Sequence, residues 1–463
     1  MPLPPEMLQA VTSPGGGKLS FVIGAGCSIE APTSVPVAWV CSKEVHRRLV
    51  EDGVIKDGDC SDPCDLSLVA DTVFSKTGSQ KPVVGRFSEQ YDLKLAAPNA
   101  GYLILAAMLC EGAISSVVTF NFDLAMTNAL SHLGVGNSIG VVDSPDDLPR
   151  RKARNVYYLH RNVNASDPET WVLRSAALET EWKGHWQSII AGSVLASPIV
   201  VFAGLGTPIS VLVETTSLIR AALPAATKYF QVDPSEKEKS KVFVALKIDD
   251  AAYLQKPWCE FMEELSKRFV SECIALLDAA MHKKVRDDRL TAEDTTALLI
   301  RLSTLGLVSL GKARAQWLLH EKPYCPDDDT GRAQLADLFL AARLIARVAH
   351  ADLQIADDGL VEFHRDGRVV AVYALVSGRG HRGKAAIEAQ IELRRSQFRS
   401  RSVPPLGALV GGTSDSWAMQ LSPPEDVVRG PAAEDIVTGP TSLPLIHIGE
   451  LRADMGRVAK VVP

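Results

Sequence analysis

The amino-acid sequence predicts an α/β protein, with a parallel sheet carrying helices on both faces, followed by a C-terminal α+β domain. Three observations carry this reading. Short apolar and β-branched runs alternate with stretches of helical spacing up to about Val270. Each run ends in small or polar residues, at the end where such sheets open onto a ligand crevice. After Val270 the alternation gives way to long helical stretches and a hairpin signal.

The elements follow in order. "KLSFVIGAGCS" reads as a buried strand, with Leu19, Phe21, Val22 and Ile23 as its apolar run, turning at Gly24 and Gly26. "VAWVCSKEVHRRLVEDG" has helical spacing and a glycine stop at Gly53. A helix is expected from Leu66 to Phe74, then turn residues through "SKTGSQKP". In "PNAGYLILAAMLCEG" the residues Tyr102, Leu105, Ala106 and Leu109 share one helical face and Gly112 sits at the end. Ile114 to Phe120 is a strand and Leu124 to Leu133 a helix, with Asn121 and Asp123 at the junction. "NVYYLHRNVN" gives a strand ending at His160. Ile199 to Phe202 leads through Gly204 and Gly206 into a helix after Pro208, and "ATKYFQVD" is a strand ending at Asp233. Strands joined by helices in this way form a parallel, Rossmann-like sheet, which gathers Gly24, Asn121, His160, Gly204 and Asp233 along one edge.

Composition bounds the function. The 463 residues are 46% hydrophobic and 22% charged, enough for two or more packed domains and unlike a disordered chain. A net charge of −6 gives no global reason to expect nucleic acid or an anionic membrane. The N-terminus "MPLPPEMLQAVTSPGGGKLS" lacks the basic and apolar regions of a signal peptide, and no run is long and charge-free enough to span a bilayer, so a cytoplasmic protein is expected. Of eight cysteines only Cys60 and Cys64 form a close pair, with no second pair to complete a zinc site, so reduced thiols and no metal are expected. Residues 1–15 read as an N-terminal arm, 16–270 as the α/β domain, 271–403 as the α+β domain and 404–463 as a Pro/Gly-rich arm.

The opening turn alone decides little. Glycines between strand and helix let backbone N–H groups approach a phosphate. The dinucleotide fingerprint wants a third glycine, however, and Ile29 stands there. The series "GAGCS", "TFNFD", "YLHRN", "VVFAGLGT" and "YFQVD", in that order, resembles the sirtuin-like family over roughly the first 270 residues, and "WCEFMEELSKRF" is similar to its closing helix.

That resemblance implies an NAD-binding domain. Gly24, Ala25, Gly26 and Ser28, with Cys27 between them, would line the diphosphate, and Asn121 and Asp123 would face the nicotinamide ribose. His160 would be the general base, Gly204, Gly206 and Thr207 would border the second nucleotide half, and Asp233 would meet the adenosine ribose. Two positions depart from the family pattern. Arg161 replaces the glycine after the histidine, and the proline after the first turn comes late, at Pro36 in Ser34-Val35-Pro36. The chemistry suits the residue types: a neutral imidazole takes a proton near pH 7, and Asn121 can hold a water or hydroxyl against C1′ as nicotinamide leaves.

Deacylases of the family usually carry two Cys-x-x-Cys pairs soon after the His-Gly motif. Between His160 and Gly204 there is no cysteine. The resemblance therefore implies an NAD glycohydrolase with water as acceptor, similar to zinc-free bacterial effectors that deplete NAD to abort phage infection. An NAD or ADP-ribose sensor with an impaired site, which Arg161 would favour, is the alternative, and a protein deacylase the weaker one. Such an effector would be silent until triggered, as a homo-oligomer or in a hetero-complex with a defence partner.

Further along, "TAEDTTALLIRLSTLGLVSLGKARAQWLL" reads as helical, with Thr291 and Asp294 placed as a capping box, and "RAQLADLFLAARLIARVAH" as an amphipathic helix. Asp366-Gly367 between two apolar strands marks a hairpin. "KAAIEAQIELRRSQFRSRS" follows as a helix, and residues 364–402 hold nine Arg or Lys against three acids, a basic patch for nucleic acid or an acidic partner. The order of elements is similar to nuclease-like folds, but "AVYALVSG" lacks their Glu-x-Lys, so no nuclease chemistry is expected. "LPLIHIGEL" is apolar enough to be a strand added to another domain or subunit.

Overall fold

The computed structural model describes residues 3–12, 17–134, 139–181, 186–224, 226–284, 292–317, 329–356, 358–377, 401–411, 445–453 and 455–462. The chain divides into two compact units, Met1–Phe269 and Val270–Pro463.

The first unit is built on seven parallel strands: β1 (Leu19–Ile23), β2 (Ile114–Thr119), β3 (Gly140–Val142), β4 (Asn155–Tyr158), β5 (Ile199–Ala203), β6 (Lys228–Asp233) and β7 (Tyr253–Gln255). Their order in the sheet is β3-β4-β2-β1-β5-β6-β7. The chain moves outward from β1 through β2, then returns to the other side of β1 with β5. Right-handed crossovers therefore put helices on opposite faces of the two halves, with the switch point between β1 and β5. Every residue of β1 and of β5 is buried, as continuous apolar strands covered on both faces must be.

Helix α1 (Pro5–Thr12) lies within the segment expected to be an arm, and it buries Met7, Ala10 and Val11. The long β1-to-β2 connection carries α2 (Ala38–Glu51), α3 (Leu66–Thr77), α4 (Lys81–Gln90) and α5 (Ala100–Cys110). Helices α2 to α4 close a lobe around Val45, Leu49, Val69, Val73, Val83 and Phe87. Burying each such side chain contributes roughly 1.5–3 kcal/mol. α4 begins on Lys81 and Pro82, the last two residues of the stretch read as turns, and continues through residues for which no element was expected. Its Pro82 sits in the first turn, where a missing N–H costs nothing, so proline starts this helix rather than breaking it. α5 differs from its expected single apolar face, since all its residues but Ala100 and Leu103 are buried. It is a central helix, and a Cβ at Gly101 would lie 2.1 Å from Trp258 Nε1, so only glycine admits the indole there. Helices α6 (Ala125–His132), α7 (Trp186–Leu195), α8 (Ser210–Ala222), α9 (Lys241–Ala245) and α10 (Trp258–Lys284) complete the connections.

The second unit holds α11 (Ala292–Thr304), α12 (Gly306–Trp317) and α13 (Asp329–Val348) with a mixed five-stranded sheet. The first helical stretch is two helices rather than one. They turn by 108° at Gly306, whose φ of +71 a glycine adopts without strain. No single described helix is long and apolar enough to cross a membrane. β8 (Asp352–Ile355), β9 (Val361–Arg365) and β10 (Arg368–Ser377) pair antiparallel, and β11 (Gly407–Gly411) and β12 (Leu445–His447) add on in parallel. The expected hairpin is present, with Asp366 at φ +52 and Gly367 at φ +74, a turn whose twist matches its strands. The segment from Pro404 supplies β11, and "LIH" of the apolar tail is the edge strand of this same sheet. The capping residue Thr291 and the basic helix expected from Lys384 lie outside the described residues.

Candidate functional site

Parallel register sets the strand ends in one row: Ile23 lies opposite Thr119 and Ala203, Thr119 opposite Tyr158, and Ala203 opposite Val232. The ladder runs one step further, with Phe120 N–H donating to the Ile23 carbonyl at 3.1 Å and Leu159 N–H to Thr119 at 3.1 Å. Gly24, Asn121, His160, Gly204 and Asp233 follow directly, so topology brings these five expected residues to one edge.

The two glycine turns on either side of the switch point pack against each other. Gly24 N–H donates to the Ala203 carbonyl at 3.0 Å and Gly26 N–H to Gly204 at 2.8 Å. A Cβ on Gly26 would lie 2.7 Å from Gly204 Cα, and one on Gly204, at φ +64, would lie 2.4 Å from Cys27 N. Packing thus accounts for Gly24, Gly26 and Gly204, and the N–H groups of the first two are committed within the protein. Gly206 differs: nothing lies within 4 Å of its added Cβ, and it and Thr207 are exposed. Residues Ala25–Ser28 form a 3-10 turn in which Ala25 and Gly26 are half-buried while Cys27 and Ser28 are buried. Burial pushes the Cys27 thiol well up, so it stays protonated. Pro36 is half-buried ahead of α2.

Ser28, Tyr102, Asn121 and Asp123 form one buried polar network. Asn121 Nδ2 donates to the Gly24 carbonyl at 3.2 Å, to Ser28 Oγ at 3.1 Å and to the Tyr102 hydroxyl at 2.9 Å. Ser28 Oγ lies 2.8 Å from the Tyr102 hydroxyl and donates to Asp123 Oδ2 at 2.9 Å. Asp123 Oδ1 accepts from Ala125 N–H at 3.0 Å at the start of α6. Asp123 is 5% exposed with both oxygens on protein donors, and burial raises its carboxyl above the ordinary value. Asn121 Oδ1 is buried with no hydrogen-bond partner among the described residues. An unmatched acceptor of this kind costs about 1–3 kcal/mol. Such a group is where a ligand or water donor belongs.

The "TFNFD" segment alternates its contacts. Asn121 and Asp123 turn toward β1 and α5, while Phe120 and Phe122 flank His160 at ring separations of 4.8 and 6.0 Å. Phe122 also stacks on Trp171 at 4.6 Å and 10°, which meets Phe87 of the helical lobe edge-on at 6.4 Å. Burial lowers the His160 imidazole to about 3, against a weaker opposing hydrogen bond to the Phe120 backbone. At neutral pH His160 is therefore an uncharged ring held in an aromatic clamp, and burial makes it a much weaker base than the general base that the resemblance implied.

Arg161 occupies a left-handed backbone position, φ +71, where glycine fits without strain. Its side chain turns toward the end of β3. Arg161 Nη1 donates to the Asp143 carbonyl at 2.6 Å and lies 3.6 Å from Asp143 Oδ1. The guanidinium thus points outward along the sheet, away from β2 and β1. Asp233 is half-buried, and its Oδ1 accepts from Ser235 N–H at 2.8 Å in a local turn.

Sequence reasoning missed Tyr102, Asn99, Phe122 and Trp171. Asn99 is fully buried: its Oδ1 caps α5 through Tyr102 N–H at 3.1 Å, and its Nδ2 donates to the Cys27 carbonyl at 2.8 Å. Asn before an apolar helix is a cap signal, and it was there to be read. Among the described residues no group of three or more His, Cys, Asp or Glu is gathered as metal ligands.

No protein-family model matches the chain, and no curated protein matches it. Among solved structures, it is similar to a Sir2 homologue in complex with NAD, with 14% identity, a TM-score of 0.37, and coverage of 58% of this chain and 94% of that one. A mutant Sir2 homologue in complex with ADP-ribose gives 14% identity and a TM-score of 0.36, covering 58% and 98%. A Sir2 complex with p53 peptide and NAD gives 15% identity and a TM-score of 0.34, covering 57% and 97%.

Proposed function

We propose that the first unit binds NAD along this strand-end row and hydrolyses its N-glycosidic bond. The observation that carries the reading is Asn121: a buried amide fixed by three contacts on its nitrogen, with its carbonyl oxygen left for a donor. A water or ribose hydroxyl donating to that oxygen would be held against C1′.

The C1′–N bond breaks with its electron pair passing to the nicotinamide ring, whose positive charge is neutralised as it leaves. Water adds to the oxocarbenium-like carbon and releases one proton, so nicotinamide, ADP-ribose and a proton form from NAD and water. His160 enters this reaction uncharged and adds no repulsion toward a cationic substrate. Asp123 acts behind Asn121 rather than on the ribose, since both its oxygens are engaged. The diphosphate runs past Ala25 and Gly26, the exposed Gly206 and Thr207 border the second nucleotide half, and Asp233 meets the adenosine ribose.

The cellular role we propose is a cytoplasmic effector of anti-phage defence that depletes NAD when triggered, alone as an oligomer or with a partner protein. The impaired-sensor alternative rests on Arg161. That side chain turns toward Asp143, which supports the hydrolase reading over the sensor. The test is to express the chain with its chromosomal neighbours, infect with phage and follow cellular NAD. NAD should collapse with the wild-type chain and hold with Asn121→Ala. Equal NAD loss in both cultures would refute the site.

A further inference from the structure

The hydrogens of the buried network can be placed by counting donors and acceptors. The Gly24 carbonyl can only accept, so the nitrogen of the Asn121 amide must face it, which settles the amide's orientation. The second N–H of Asn121 points to the Tyr102 hydroxyl, with Ser28 Oγ slightly farther. Tyr102 contacts Ser28 and Asn121 in this network, and the Asn121 amide nitrogen cannot accept, so the Tyr102 proton goes to Ser28. Ser28 has one proton of its own and gives it to Asp123, whose carboxylate accepts at both oxygens. The opposite order would leave the Tyr102 proton buried without an acceptor. A single direction remains: Asn121 to Tyr102 to Ser28 to Asp123.

We infer that Tyr102 and Ser28 are positioning residues for Asn121, forming a one-way hydrogen-bond relay that ends on Asp123, holds the amide nitrogen of Asn121 inward and leaves its carbonyl oxygen for a ligand donor. Chains of aligned hydrogen bonds polarise one another, and this one ends on a carboxylate, which orders it. Tyr102 is the key link because it enters from α5, itself capped by Asn99. The amide is thereby referenced to the core helix and to β1 at once. The function of the relay rests on the proposed role of Asn121, but its geometry can be tested without NAD.

The experiment uses the full chain with its asparagines labelled with 15N. The side-chain amide signals of Asn121 are the pair missing from Asn121→Ala. Tyr102→Phe and Ser28→Ala should each shift this pair. Tyr229→Phe, which takes a buried hydroxyl from the Leu195 carbonyl instead, should leave it in place. With NAD, Tyr102→Phe should lower kcat at least tenfold while KM stays within twofold. An Asn121 pair unmoved in Tyr102→Phe, or moved equally by Tyr229→Phe, overturns the relay. Absence of nicotinamide release by wild-type protein in infected cells would overturn the hydrolase reading and leave the relay to the spectra.

Discussion

The side-chain amide of Asn121 and the hydroxyl of Tyr102 meet at 2.9 Å inside the first unit, joining the loop after β2 to the central helix α5. This contact makes the site a property of the core. Asn121 is held by a helix buried on nearly every side.

Asp123→Asn should separate stability from activity. Burial raises the folded-state carboxyl pKa above its unfolded value, so the group's contribution is fully present below about pH 4 and is lost as pH rises through the folded pKa. At neutral pH the buried carboxylate is a cost that the amide removes. An asparagine there can still cap α6 with its oxygen, but its NH2 then faces Ser28 and reverses the relay. Thermal unfolding at pH 7.5 should place the Asp123→Asn protein close to wild type, because the relief of the buried charge is offset by a Tyr102 proton left without an acceptor, with nicotinamide release down at least tenfold. A less stable, fully active variant would contradict this.

His160 predicts a specific acid response. Its folded pKa, about 3, lies below the unfolded value of 6.5, so the stability it contributes is present above pH 6.5 and is lost as pH falls toward 3. Replacing it with Phe should flatten the stability profile between pH 6.5 and 4. For the same reason the acid limb of kcat/KM should fall below pH 6. A limb centred at 6.5 would show that the ring titrates as an exposed histidine.

The glycines divide into two kinds. Gly204→Ala meets Cys27 N and a left-handed φ, and should destabilise by at least about 2 kcal/mol in denaturant unfolding. Gly206→Ala has open space and should change stability by less than about 1 kcal/mol while raising KM for NAD. Equal destabilisation by both would undo the distinction.

Much of this was legible in the sequence, for physical reasons. Fully buried strands such as "FVI" and "IVVFA" carry continuous apolar runs, and the small or polar residues after them mark strand ends, so the sheet and its strand-end row could be read directly. The glycine motif was legible as a turn but not as two turns packed together, because a close approach across 178 positions leaves no local pattern. Tyr102 looked like one member of an apolar face. Its hydroxyl becomes informative only once α5 lies against the loop holding Asn121. Trp171 follows no periodic element at all, and its stack on Phe122 exists only in three dimensions.

Arg161 should be replaceable by glycine. Arg161→Gly keeps the left-handed backbone and loses only the outward contact with Asp143, so nicotinamide release should stay within about threefold of wild type. Arg161→Val places a β-branched residue at φ +71 and should lower the unfolding midpoint. Loss of activity in the glycine variant would give the guanidinium a direct part in binding.

The central claim is that Asn121 and His160 act on NAD at the strand-end row. Its most direct test is the amount of nicotinamide and ADP-ribose formed from NAD by the activated full chain, compared with Asn121→Ala and His160→Ala. The account predicts equal amounts of the two products from wild type and a fall of about 100-fold or more in each variant. Product formation by either variant at the wild-type rate would contradict it.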